Sequence, residues 1–346
     1  MKKNMQQCSG YALLGNELTL SPVDIYIENG FISSIEDNPH APQLWICPAL
    51  FNAHTHLGDT IAMDCGVTGD LTALVTPPYG LKHTLLAAAS REDLTGGMRT
   101  SIQGMIAGGT AGCADFREGG LSGVALMREA SSELPFTTVL FGRDGGENNA
   151  DGLGISSTRD VSDVERKVND ARLQGKKIAF HAGERDSEDV DAALAFEPDL
   201  IIHATHATKK QLRYCADHQI PIAICPRSNW TLGVSTSSKK PPISMMQELG
   251  CTLYLGTDNA MFVNPDLFAE MAFVSAIYNM EPEPLLRAAI QGSELSAESF
   301  FIRTGARANM FVIDPCQSSL QFSRDPIASI TKRVSCGHVV HNIFNS

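Results

Sequence analysis

Phe51-Asn52-Ala53-His54-Thr55-His56-Leu57-Gly58-Asp59 is the stretch on which the reading of this chain turns. An apolar run, Leu44-Trp45-Ile46-Cys47-Pro48-Ala49-Leu50, leads into it and reads as a buried strand. Side chains two apart on a strand share a face. His54 and His56 therefore aim the same way from a strand end, where both imidazoles can reach one metal ion. An isolated H-x-H pair is equally compatible with two ordinary histidines. The metal reading gains weight only if further ligand types stand at the ends of later strands.

Downstream, strand-like and helix-like segments alternate. Helical stretches are expected at 91–108, 120–132, 160–174, 208–218, 242–249, 265–279, 282–291 and 294–301. Between them lie Thr110–Phe116, Phe136–Phe141, a weak strand at Gly154-Ile155-Ser156-Ser157, and the stretches Lys177–Glu184, Leu200–His206, Pro221–Pro226 and Cys251–Asn259. Residues 59–90 read as a loop-rich insertion, and Arg227-Ser228-Asn229-Trp230 as a polar loop. Eight strand–helix units between about 44 and 280 are the count of a (β/α)8, TIM-like barrel of the α/β class, whose active site lies at the C-terminal ends of the strands. The start, with Val23, Ile25 and Ile27 alternating with polar residues, and the tail, with Asn309–Asp314 and a second strand near Gly337–Val340, are β-like. The expected organisation is a discontinuous β-sandwich of residues 1–48 and 303–346 around a barrel of residues 49–302.

Bulk properties bound the function. The 346 residues are 43% hydrophobic and 19% charged, with a formal charge of −12. That acidity disfavours nucleic acid and anionic membranes as partners. No apolar run reaches the length of a membrane span, and no signal-peptide pattern opens the chain. Nine cysteines without a C-x-x-C pair fit a reducing compartment, so the cytoplasm is expected. Cys47, Cys113, Cys225 and Cys251 read as small core residues. A homo-oligomer is compatible with all of this.

Metal-competent residues stand at several strand ends: His54 and His56 on the first, His181 on the fifth, Asp258 on the eighth. Three imidazoles and one carboxylate suit a borderline divalent ion, zinc before iron or manganese. Glu184, three residues past His181, can fold back over the pocket as a proton shuttle. His203 ends the sixth strand and is placed to orient water; His206, three later, is read as a cap of the next helix or a packing residue. Lys82, His83, Arg143, Arg227 and Asn229 lie on strand-end loops as candidate substrate contacts. His40, His218, His338 and His341 are read as surface or packing histidines.

Pro48-Ala49-Leu50-Phe51-Asn52-Ala53-His54-Thr55-His56 resembles the first-strand motif of the amidohydrolase superfamily. His181-Ala182-Gly183-Glu184, His203-Ala204-Thr205-His206, Pro226-Arg227-Ser228-Asn229 and Leu255-Gly256-Thr257-Asp258-Asn259 resemble, in order, the later motifs of its aminohydrolase branch, which includes cytosine, guanine and S-adenosylhomocysteine deaminases and triazine chlorohydrolases. The resemblance covers nearly the whole chain. It implies that His54, His56, His181 and Asp258 bind one metal, that Glu184 shuttles protons, that His203 contacts water and substrate, and that Asp258 doubles as a base. Two-metal members carry a bridging lysine at the end of the fourth strand; Gly154-Ile155-Ser156-Ser157 offers none, which implies a single ion. The segment between Glu184 and His203 is short for the branch.

The leading functional expectation is hydrolytic deamination of an aminated heterocycle such as a purine, pyrimidine, pterin or triazine-like ring. The alternative is hydrolysis of a cyclic amide or a chloro-heterocycle at the same site. A catalytically dead binding homologue is disfavoured because all six positions carry competent residue types.

Overall fold

The structure is a computed structural model and describes residues 5–344 apart from 67, 68 and 70. Two sheets organise it. The strands are β1 (Met5–Leu14), β2 (Thr19–Glu28), β3 (Phe31–Asp37), β4 (Trp45–Pro48), β5 (Leu50–His56), β6 (Thr110–Arg117), β7 (Thr137–Gly142), β8 (Gly152–Ile155), β9 (Lys177–Ala182), β10 (Leu200–His203), β11 (Ile222–Ile224), β12 (Leu253–Leu255), β13 (Asp258–Asn259), β14 (Met310–Ile313) and β15 (Val339–Ile343). β5 to β13 form a curled parallel sheet in the order β12-β11-β10-β9-β8-β7-β6-β5-β13, a TIM-like arrangement. Its two outermost strands are consecutive in the chain: β12 pairs with β11 while β13 pairs with β5.

The join between β12 and β13 is narrow. Thr257 N–H donates to the His54 carbonyl at 3.0 Å. The Asn52 amide brackets Thr257, donating to its Oγ1 at 2.8 Å and accepting from its N–H at 3.1 Å. A Cβ on Gly256 would stand 2.8 Å from His54 Cβ, so only glycine lets the two backbones approach this closely. The eighth-strand carboxylate is thereby seated beside the first-strand histidines.

Near-continuous apolar strands of a doubly covered sheet explain the core. Phe51, Phe116, Phe141 and Phe180 are fully buried, each contributing about 1.5–3 kcal/mol of transfer free energy. Phe116 stacks on Phe141 at 4.7 Å between ring centroids and meets His54 edge-on at 4.5 Å. The apolar core therefore forms the floor on which the histidines rest.

The two ends of the chain pair into one six-stranded sheet, β15-β14-β4-β1-β2-β3. Its buried side holds Val23, Ile25, Ile27, Ile46, Met310 and Val312. The apolar run before the His pair is not a single strand: β4 joins this terminal sheet and β5 the parallel one, with the crossing at Ala49. Four further differences are local. The 59–90 insertion is largely helical, with a 3₁₀ turn at Leu57–Ala62 and helices at Leu71–Val75 and Leu81–Ala88. The tail carries the helix Pro326–Arg333, started by Asp325 accepting from Ala328 N–H with proline in the first turn, a signal that outweighs the β-like flanks. Residues 292–296 form only a 3₁₀ turn, where a helix over 294–301 was expected. Pro226–Thr231, expected as a polar loop, is a short helix led by its proline.

Among the described residues no helix is long and apolar enough to cross a membrane. All nine cysteines are free.

Candidate metal and catalytic site

The parallel strands bring their C-terminal ends to one cleft. His56, Lys82, Arg143, Ser156, Ser157, His181, Glu184, Arg185, Asp189, His203, Asp258 and Asn259 are among its lining residues. His54, fully buried, forms the floor beneath it.

Asp258 Oδ1 lies 3.1 Å from His54 Nε2 and 3.5 Å from His56 Nε2. Its Oδ2 accepts a hydrogen bond from Ser228 Oγ at 2.7 Å. His181 sits with its ring centroid 4.8 Å from that of His54 and 5.5 Å from that of His56. One ring nitrogen from each of His54, His56 and His181 falls within 4.8 Å of the others, and so do ligand atoms of His54, His203 and Asp258. Ligands about 2.0–2.1 Å from a tetrahedral ion stand roughly 3.3 Å apart. The donor set and spacing fit a divalent ion after small adjustments.

Two of the rings, His56 and His181, are aimed by their second nitrogens, while His54 Nδ1 makes no hydrogen bond among the described residues. His56 Nδ1 faces the Phe116 carbonyl at 3.0 Å and Glu118 Oε1 at 2.8 Å, and His181 Nδ1 faces the Ile155 carbonyl at 2.9 Å. These acceptors hold the proton on Nδ1 and leave Nε2 bare, the tautomer a metal requires. Burial presses His54 down to about 4, against the pull of Asp258. Burial and the Lys82 charge press His56 to about 3. Burial, with His54 and Arg143 nearby, holds His181 well below the usual histidine range. Burial alone would raise Asp258, but His54, His203 and His56 overcome it and keep the carboxylate ionised.

A pH consequence follows. Protons compete with metal for imidazole nitrogen, and a depressed pKa moves that competition to lower pH. Zinc affinity, measured by chelator competition, is expected to change little between about pH 8 and about pH 6, where free histidine near 6.5 would already lose about half an order of magnitude per site. A steep fall centred on 6.5 would contradict neutral, preorganised rings.

Glu184 leaves β9 on a turn at Gly183, whose φ is +82°. Its Oε2 is 3.5 Å from His203 Nε2, and burial raises its pKa while His203 opposes. His203 at φ +74° and Asp258 at φ +64° both hold the left-handed backbone conformation, which non-glycine residues rarely adopt. Such strain, about 1–3 kcal/mol each, concentrates at functional sites.

Beside His56 lies a buried charge network. Glu118 Oε1 is 2.8 Å from Lys82 Nζ, and its Oε2 accepts from Arg117 Nη2 at 2.6 Å. Lys82 also donates to Asn259 Oδ1 at 3.0 Å and faces Asp59 Oδ2 at 3.5 Å. Glu118 and Ser228 were assigned no role from sequence. Asp115-Phe116-Arg117-Glu118 closing a strand was the available signal for the first.

The five candidate contacts divide. Lys82 and Arg143 line the cleft. His83 turns to the Val75 carbonyl, Arg227 is spent on Glu270 and the carbonyls of Asn264 and Asp266, and Asn229 is buried on Thr205. His206 stands beside Lys240, and the next helix is capped by Thr208 instead, in a box with Gln211.

Residues 146–306 match the family model described as adenosine deaminase. A "Putative aminohydrolase" from Methanothermobacter thermautotrophicus is 31% identical, covering 97% of this chain and 96% of its own length. A 5-methylthioadenosine/S-adenosylhomocysteine deaminase from Halobacterium salinarum is 24% identical over 97% of this chain and 90% of its own. Among solved structures, an adenosine deaminase from Xanthomonas campestris with bound zinc superposes with a TM-score of 0.79, at 16% identity, covering 97% of this chain and 90% of that one. The chain belongs to the amidohydrolase superfamily, among its aminohydrolases, hydrolases of carbon–nitrogen bonds other than peptide bonds.

Proposed function

We propose that this chain is a hydrolytic deaminase of an aminated heterocycle, working with one divalent ion, zinc in the first instance, on His54, His56, His181 and Asp258. The observation that carries the reading is convergence: these ligands meet Glu184 and His203 at one cleft, at the C-terminal ends of four strands. The barrel, residues 49–302, carries the chemistry, and the sheet from both termini braces its first strand. The methylthioadenosine/S-adenosylhomocysteine deaminase relative supports a purine-type ring as the first class to test.

His54, His56, His181 and Asp258 would hold the ion, which would supply Lewis acidity that lowers the pKa of a bound water. The chain's own groups handle the protons. Asp258, its Oδ2 fixed by Ser228, accepts the proton that water loses. Glu184, its pKa raised by burial, gives a proton to the ring nitrogen; Asp258 passes the proton it took from water to the leaving amine, and Glu184 regains one from the added hydroxyl as the ring C=O forms and ammonia departs. His203, 3.5 Å from Glu184, orients the water and the oxygen that replaces the amine. Apolar burial around His54 keeps bulk water out.

The zinc-loaded chain is expected to release ammonia, one equivalent per ring, from at least one member of a panel of aminated purines, pyrimidines, pterins and triazines. Release of chloride or ring opening without ammonia, or no turnover across the panel, would overturn the reading.

A further inference from the structure

The candidate metal ligands lie along the seam where the last strand of the parallel sheet meets the first, and a side chain from outside the sheet ties that seam. Lys82 is the second residue of the helix Leu81–Ala88, in the insertion after β5. Its side chain is only 3% exposed. Nζ lies 2.8 Å from Glu118 Oε1, just past β6, and donates to Asn259 Oδ1 of β13 at 3.0 Å. It also stands 3.5 Å from Asp59 Oδ2, just past β5. An ammonium has three N–H donors, and these partners leave none for a substrate.

Two of the three partners lead directly to proposed ligands. Glu118 Oε1 is also 2.8 Å from His56 Nδ1. Asn259 follows Asp258 and is the register partner of His56 where β13 pairs with β5. His56, Glu118, Lys82 and Asn259 therefore close a ring of contacts across the first and last strands. β13 consists of Asp258 and Asn259 alone, and Asp258 holds φ +64°. So short a strand makes few ladder hydrogen bonds, and a non-glycine residue in that conformation persists only where its surroundings over-determine it. The Asn259 side chain, tied to Lys82, is one such restraint. We propose that Lys82 is a positioning residue of the metal site. Its ammonium clasps Asn259 and Glu118, and through them keeps Asp258 and His56 in ligating geometry. The inference deepens the proposed function and rests on its metal ligands, not on deamination.

Zinc alone is the probe, with affinity measured by chelator competition on the full chain. Lys82→Met keeps the apolar stem and removes the ammonium. Zinc is expected to bind it roughly 10–10²-fold more weakly, the usual worth of a group that orients a metal ligand. The sign discriminates. A cation by itself repels a nearby divalent ion, so removing its charge and nothing else would tighten binding. A lysine that only packs the insertion would lower the melting temperature of the metal-free chain and leave zinc affinity unchanged. Asn259→Ala cuts the clasp on one side and leaves Lys82 paired with Glu118, and a loss of about 10-fold is expected, the low end of the same range. The double variant should bind no more weakly than Lys82→Met, because both substitutions remove one tie. Unchanged or tighter zinc binding in Lys82→Met, unchanged binding in Asn259→Ala, or losses that add in the double variant overturn the proposal. If Lys82→Met does not fold, Asn259→Ala decides alone. The two claims fail differently: a wild-type chain that binds no zinc contradicts the metal assignment and the clasp with it, whereas equal, tight binding by wild type and variants refutes the clasp alone.

Discussion

Asp258→Asn is expected to lower kcat by roughly 10²–10⁴-fold, the worth of a positioned base, while the chain stays folded. Asp258 Oδ1 faces two imidazole Nε2 atoms at 3.1 and 3.5 Å, and its Oδ2 is held by Ser228. Asparagine keeps the shape but not the charge. It cannot take a proton from water, and its amide nitrogen set against either neighbour would oppose a metal or the Ser228 hydroxyl. Metal affinity should fall as well, because one of the four proposed ligands loses its charge. The backbone hydrogen bond of Thr257 and the bracket from Asn52 do not involve the carboxylate, so the join of β12 and β13 persists. Steady-state ammonia release at saturating zinc, with circular dichroism as the fold control, measures this. Near-normal kcat with metal bound would mean that Asp258 is neither base nor essential ligand.

Glu184→Gln separates proton transfer from metal binding. Glu184 is 3.5 Å from His203 Nε2 and does not belong to either group of converging metal ligands. Glutamine preserves volume and hydrogen-bonding reach but cannot carry a proton. The expected result is retained metal content and a kcat lower by roughly 10²–10⁴-fold, with a much smaller change in affinity for substrate or product. The raised pKa sharpens the claim. A carboxyl with an elevated pKa keeps its proton to higher pH, so the wild-type rate should fall as pH rises through that value, and the limb should vanish in the variant. Loss of metal on substitution would make Glu184 a ligand. Activity within a few-fold of wild type would make it a solvated loop residue.

Much of this site could be read from sequence because its parts are strand ends. An apolar run stopping at a histidine, as at Leu200–His203, announces a parallel strand and places the polar residue at its C-terminal end. The period of two put His54 and His56 on one face, and both are buried there. What stayed illegible depends on contacts distant in the chain. Glu118 has local interest only as a charge after a strand; its partner Lys82 arrives on a helix of the 59–90 insertion, and no periodicity links the two. Arg227 illustrates the reverse case. Its place on a strand-end loop suggests a substrate contact, but the buried Glu270 on the helix Leu267–Tyr278 claims it. The terminal sheet was readable as β-rich ends, while the switch of Trp45–His56 between two sheets was not, because both halves are equally apolar.

The account stands or falls on one ion coupled to ammonia. Metal-free protein titrated with zinc, with ammonia release recorded at each addition from a substrate identified in the panel, gives that coupling directly. Activity is expected to be absent at the start, to rise linearly and to saturate at about one equivalent per chain. Full activity without metal, or a break at two equivalents, would contradict it.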